Sequence, residues 1–337
     1  MNRRDALKLG AIGMLTAGRA SADDATGRVM TVLGPIAPDE MGVTLPHEHI
    51  LVDFAGADVA SPRRYNADEV VAAARPHLEK VWGQGVRTLV DCTPAYLARD
   101  PTILRGLSRA TGLHILTNTG YYAAGGGKFL PPHARAEAVD ELAARWLAEW
   151  REGIGGTGVR PGFQKIGVDA GPLPDVGVKL VRAAARAHRA SGLTIAAHTG
   201  DGRAAIQELD LLREEGVDPS AFIWVHADAE PDAALHVEAA ARGAWVEFDG
   251  VAPGAVDRHV VLVAAMKDRG RLDRVLLSHD AGWYHVGEPG GGAFRPFDTL
   301  WGELVPALRR AGFTDAEVRT LTVDNPREAF TVRVRPA

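Results

Sequence analysis

Residues 43–49 read Val43-Thr44-Leu45-Pro46-His47-Glu48-His49, a short β-rich run at 43–45 with two histidines one residue apart at its end. In an extended strand successive side chains alternate between faces, so His47 and His49 project to one side and Glu48 to the other. Outward from this run, seven further β-rich stretches recur at 88–90, 114–117, 163–168, 193–197, 222–225, 244–248 and 274–277. Between them lie segments in which Ala, Leu, Val, Arg and Glu alternate at helical spacing, among them 67–82, 134–152, 177–190, 204–215 and 231–241. Glycines such as Gly85, Gly112, Gly192, Gly216 and Gly243 follow these segments, where helices end. Eight strand-helix units in one chain of 337 residues indicate an α/β fold, a single (β/α)8 TIM barrel, with an open α/β sheet as the alternative. No repeat or Pro-Ser linker divides the chain, and the glycine runs at 125–127 and 290–292 read as mobile loops.

The strand ends carry the chemistry. In a barrel of this type the loops after the strands enclose the only deep pocket, and reactive side chains gather there. His47 and His49 close the first run, His198 the fifth, His226 the sixth and Asp280 the eighth. Four imidazoles and a carboxylate on one face form a ligand set suited to zinc or a similar divalent ion. A single such histidine reads equally as a hydrogen-bonded structural residue; the set and the H-x-H doublet carry the metal reading. His77, His188, His236 and His259 fall in helical patterns and read as solvated, His114 begins a strand at the opposite rim, and His279 is expected to point out of the barrel. His133 and His285 sit in loops and stay unassigned.

Lys165 shares a face with Phe163 and Gly167, so it enters either the lumen or the helix layer. A buried ammonium beside divalent cations would be repelled. Carboxylation by carbon dioxide would turn it into a carbamate able to bridge two ions; the other reading is a lysine in a salt bridge at the barrel end.

The composition narrows the partners. Against 38 Lys and Arg stand 43 Asp and Glu, and no basic stripe marks a nucleic-acid or anionic membrane surface. Cys92 is the only cysteine and forms no internal disulfide. Residues 1–22, with Arg3-Arg4, a short Gly- and Ala-rich apolar stretch and Ala20-Ser21-Ala22, resemble a twin-arginine export signal, too short for a stable membrane anchor. An amphipathic first helix is the alternative. The export reading places residues 23–337, the metal-binding barrel domain, in the periplasm or outside the cell.

Together, H-E-H at 47–49, Lys165, H-T-G-D at 198–201, V-H at 225–226, S-H-D at 278–280 and N-P-R-E-A-F at 325–330 resemble the phosphotriesterase family of the amidohydrolase superfamily. The resemblance covers nearly all the chain after residue 22. It implies two divalent metal ions, zinc by expectation: His47, His49 and Asp280 on the more buried one, His198 and His226 on the exposed one, and carboxylated Lys165 bridging both. A hydroxide between the ions would attack a small-molecule lactone or carboxylic ester, with Asp280 as the catalytic proton carrier. A phosphotriester or amide is the alternative substrate, an exported binding protein with purely structural metals the alternative class, and a homodimer the implied assembly. Phosphotriesterase itself is expected to hold a histidine and an acid where this chain has Gly250 and Ala229, so a proton relay through those places is not carried over. Lactonase-like members place an aromatic residue after the third strand, matching Tyr122 or its neighbour Tyr121, each otherwise a loop-packing residue. Trp283, in the long loop after the eighth strand, is positioned to cover an apolar acyl or aryl group.

Overall fold

The computed structural model describes residues 25–337; the proposed export signal lies outside them. Eight parallel strands form the barrel: β1 (Val43–Val52), β2 (Val86–Asp91), β3 (His114–Leu116, resuming at Asn118–Thr119), β4 (Phe163–Val168), β5 (Ile195–Thr199), β6 (Phe222–Val225), β7 (Trp245–Phe248) and β8 (Val275–Leu277). Each strand pairs with the next in parallel from β1 to β3 and from the second half of β3 to β8. The ring closes where Asp280 N donates to His47 O at 3.1 Å and His49 N to Ala281 O at 2.9 Å. A short strand, Gly282–His285, then pairs in parallel with β1.

Seven of the runs in the sequence coincide with these strands to within a few residues. The first was read too short, because β1 continues through Pro46 to Val52, with a register irregularity between Leu45 and Glu48 that absorbs the proline. A barrel-closing strand can hold Pro46 at such an irregularity because proline offers no N–H for the ladder.

Helices α1 (Ala67–Gly83), α2 (Pro101–Thr111), α3 (Val139–Glu152), α4 (Asp175–Ser191), α5 (Gly202–Glu214), α6 (Ala233–Ala241) and α7 (Val256–Asp268) alternate with the strands. Their ends follow local chemistry. In α2, Asp100 accepts from Thr102 N and Ile103 N, Pro101 fills the first turn, and Gly112 closes the helix in the left-handed conformation. Such a cap contributes about 1 kcal/mol. The segment read as one helix over 134–152 is two, Pro132–Ala136 and α3, because Glu137 and Ala138 are extended.

The period of two sorts each strand. Outward residues such as Leu45, Leu89, Ile166, Ala197, Trp224 and Phe248 pack against the helices. Inward residues Val90, Phe163, Ala196, Ile223, Trp245 and Leu276 fill the lower lumen, which Phe330 and Met41 close from below. The apolar lumen stops short of the carboxyl ends, and the space above it is left to polar side chains.

Three of the four histidines in helices are not solvated. His188, His236 and His259 are at most 1% exposed. Each spends a ring nitrogen on a carbonyl: His188 on Leu193 O, His236 on Ala227 O and His259 on Ala255 O. His77 is half-buried and stacks on Phe294 at 4.6 Å between ring centroids. His114 does begin β3 at the opposite rim, and His279 turns out of the lumen to bond Glu48 at 2.6 Å. The 125–127 glycines are tethered, since Gly125 N and Gly126 N both donate to Asp169.

Candidate metal centre and active site

Strand geometry brings the six side chains to one place. His47, His49, Lys165, His198, His226 and Asp280 all line a cavity of about 130 Å³ at the carboxyl ends of the strands. Ring centroids lie 5.3 Å apart for His47 and His49, 5.2 Å for His47 and His226, and 4.6 Å for His198 and His226. Lys165 enters the lumen, because it alternates with Gln164, whose amide donates outward to Ala184 O on α4. His226 and Asp280 each adopt a positive φ where their strands end, which turns both side chains inward.

Donor atoms of His47, His49 and Asp280 lie within 4.8 Å of one another, as do those of His47, His226 and Asp249. The first group converges through Nε2: His49 Nε2 is 3.0 Å and His47 Nε2 3.8 Å from Asp280 Oδ1. The opposite nitrogens are already held. His49 Nδ1 bonds Thr93 Oγ1 at 2.8 Å, His226 Nδ1 bonds Asp249 Oδ1 at 2.8 Å, and His47 Nδ1 faces Asp249 and Glu247 at 3.0 and 3.1 Å. A nitrogen fixed in this way sets the tautomer and leaves Nε2 as the lone-pair donor.

The electrostatics agree for His198, whereas at His47 burial is outweighed by the neighbouring Cys92 and Asp249, which raise the imidazole well above its ordinary value. Burial and the neighbouring His226 imidazole push His198 down to about 2, so it is a neutral donor near neutral pH. Burial opposes ionisation of Asp280, but the bond from His49 and the nearby His47 outweigh it and hold the carboxyl below its ordinary range. Lys165 is 2% exposed and its Nζ has no hydrogen-bond partner among the described residues. A buried, unpartnered ammonium among nitrogen donors costs several kcal/mol. The donor set therefore fits two divalent cations better than it fits an ion pair.

Tyr122 and Trp283 flank the cavity with Phe54 and Phe129. Tyr122 lies 4.9 Å from His198, and Trp283 stands edge-on to His49 at 5.5 Å. Tyr121 does not reach the cavity. Consecutive residues face opposite ways, so its hydroxyl bonds His133 Nε2 at 3.1 Å and its ring packs against Trp146 in the helix layer. His133 thus serves Tyr121, and His285 stacks at the rim between Phe54 and Trp283. Asp228 sits beside the place held by Ala229, but its carboxylate accepts from Asp249 N instead of facing the cavity.

Sequence reasoning did not single out Glu247 or Asp249. Both are 1% exposed and point inward from β7. The alternation Trp245-Val246-Glu247-Phe248-Asp249 carries the signal: two acids on the lumen side of an otherwise apolar strand.

Imidazole and carboxylate donors converging at the mouth of such a barrel place the protein among hydrolases with metal-binding centres at the strand ends. Within that class the sequence profile of the phosphotriesterase family matches residues 27–330, and the chain belongs to that family. It is 30% identical over 300 residues to the phosphotriesterase homology protein of Escherichia coli K12, covering 87% of this chain and 99% of that one. The organophosphorus hydrolase of Deinococcus radiodurans superimposes with a TM-score of 0.82 at 29% identity, over 91% of this chain and 97% of that one. A solved protein engineered for organophosphate hydrolysis from a weak promiscuous lactonase template gives 0.81 at 31% identity, over 90% and 99%.

Proposed function

We propose that this protein is an exported, divalent-metal-dependent hydrolase of lactones or carboxylic esters. The observation that carries the reading is Lys165, buried in the lumen without a hydrogen-bond partner among the described residues, at the meeting point of His47, His49, His198, His226 and Asp280. His47, His49 and Asp280 would hold one ion, His198 and His226 the second, and Lys165, as a carbamate, would touch both. Two such ions, zinc by ligand type, would supply water of lowered pKa and polarise the substrate oxygen.

The chain's own residues do the rest. Asp280, whose Oδ1 lies 3.0 Å from His49 Nε2, takes the proton of the attacking water and passes it to the leaving group. Thr93, Asp249 and Glu247 fix His49, His226 and His47 so that these three do not reorient as charge develops. Tyr122, Phe54, Phe129 and Trp283 give the cavity an aromatic wall suited to an apolar acyl group. Residues 1–22 act as the export leader, and the working assembly is a homodimer.

A phosphotriester substrate is the second reading, supported by the organophosphorus hydrolase among the similar structures. The small cavity and the absence of an acid or base at Gly250 and Ala229 favour the planar carbonyl substrate. Metal-loaded protein assayed on a panel of lactones, aryl esters and an aryl dialkyl phosphate tests this. The reading expects kcat/KM at least tenfold higher on the best lactone or ester; the reverse order overturns it.

A further inference from the structure

His47 is the one imidazole in the cluster whose Nδ1 faces two carboxylates. Asp249 is fully engaged, accepting from His226 N at 3.0 Å and from the rings of His226 and His47. Glu247 is different. It enters from below, one inward step earlier on β7, at the top of the apolar plug that contains Trp245, Val225 and Leu276. Its Oε2 touches only His47 Nδ1, at 3.1 Å, and its Oε1 has no partner among the described residues. A buried carboxylate with one oxygen unsatisfied destabilises the fold on its own account. A side chain kept for packing would not be an acid, since an apolar residue of similar volume would serve better.

We propose that Glu247 is a positioning residue for the buried metal position, acting only through His47. Its carboxylate accepts a hydrogen bond from His47 Nδ1–H, which leaves Nε2 unprotonated on the side of the ring that faces Asp280. Asp249 orients one imidazole of each ion's set, whereas Glu247 serves a single ligand of a single ion. This rests on the metal-centre reading above and adds to it a selectivity: loss of Glu247 weakens one of two binding steps.

A purely structural role and a positioning role predict opposite signs. Replacing Glu247 by Leu removes an unsatisfied buried charge, so the metal-free protein keeps or raises its Tm while its metal affinity falls. The test is chelator-competed titration of full-length metal-free protein with Zn2+ and with Co2+, for wild type, Glu247→Leu and the isosteric Glu247→Gln, alongside Tm of each metal-free protein. Wild type is expected to bind two ions. Glu247→Leu is expected to weaken one step roughly 10- to 100-fold and leave the other within about threefold, with Glu247→Gln in between because its amide oxygen still accepts from Nδ1. Unchanged affinity in both steps, or a fall in metal-free Tm with affinity intact, overturns the proposal and leaves Glu247 structural. A wild type that binds no ions overturns instead the metal-centre reading on which it rests.

Discussion

Glu208→Gln isolates one buried carboxyl whose protonation the fold controls. Glu208 lies on the inner face of α5, fully buried; one oxygen accepts from Thr199 Oγ1 at 2.8 Å and the other has no partner among the described residues. Burial raises its pKa from 4.5 to about 8. The folded chain thus holds this proton up to about pH 8, while the unfolded chain releases it near 4.5. Between those values the folded state binds more protons, so stability falls as pH rises through the window and is level on either side. About 3.5 pK units at 1.36 kcal/mol each set a ceiling of roughly 5 kcal/mol lost between pH 4.5 and 8. Glutamine has the same shape, stays neutral and still accepts from Thr199, so the variant removes this contribution. Urea unfolding of metal-free protein at unit steps from pH 5 to 9 reads the difference. The variant is expected to match wild type near pH 5 and to exceed it by up to a few kcal/mol at pH 8. Parallel pH profiles for the two proteins would refute the reasoning.

Other outcomes follow from the same coordinates. Burial lowers His188 from 6.5 to about 4, so stability is lost as pH falls from 6.5 towards 4, by up to about 3 kcal/mol; His188→Leu is expected to flatten that limb of the urea-unfolding profile. A Cβ on Gly167 would lie 2.5 Å from Tyr122 Cδ2, so Gly167→Ala displaces that ring and is expected to raise KM for a lactone about tenfold with metal content unchanged. Gly120 has φ +116° and a Cβ there would sit 2.3 Å from the backbone oxygen of Lys165, so Gly120→Ala is expected to cost more than about 3 kcal/mol in urea unfolding.

The barrel was legible because each strand is a short β-rich run followed by a helical pattern, and the site because period two and strand ends locate side chains without tertiary information. His47, His49, Lys165, His198, His226 and Asp280 were all placed on that basis and do meet. What escaped the sequence depends on packing between distant segments. His188, His236 and His259 look polar in a helical pattern, yet each finds a carbonyl deep in the helix layer. Tyr121 and Tyr122 differ only in which way the chain leaves β3. Glu247 and Asp249 look unfavourable for a strand until the imidazoles from β1 and β6 lie above them. The first run reads short of Val52 because it holds Pro46, which the register irregularity of β1 accommodates.

The central claim is that six side chains hold two cations with Lys165 between them. Elemental analysis of wild-type and Lys165→Ala protein, purified side by side under elevated bicarbonate, tests it most directly. The account expects two ions per wild-type chain, and fewer in the variant with turnover lost. Two ions and full turnover in Lys165→Ala would contradict it.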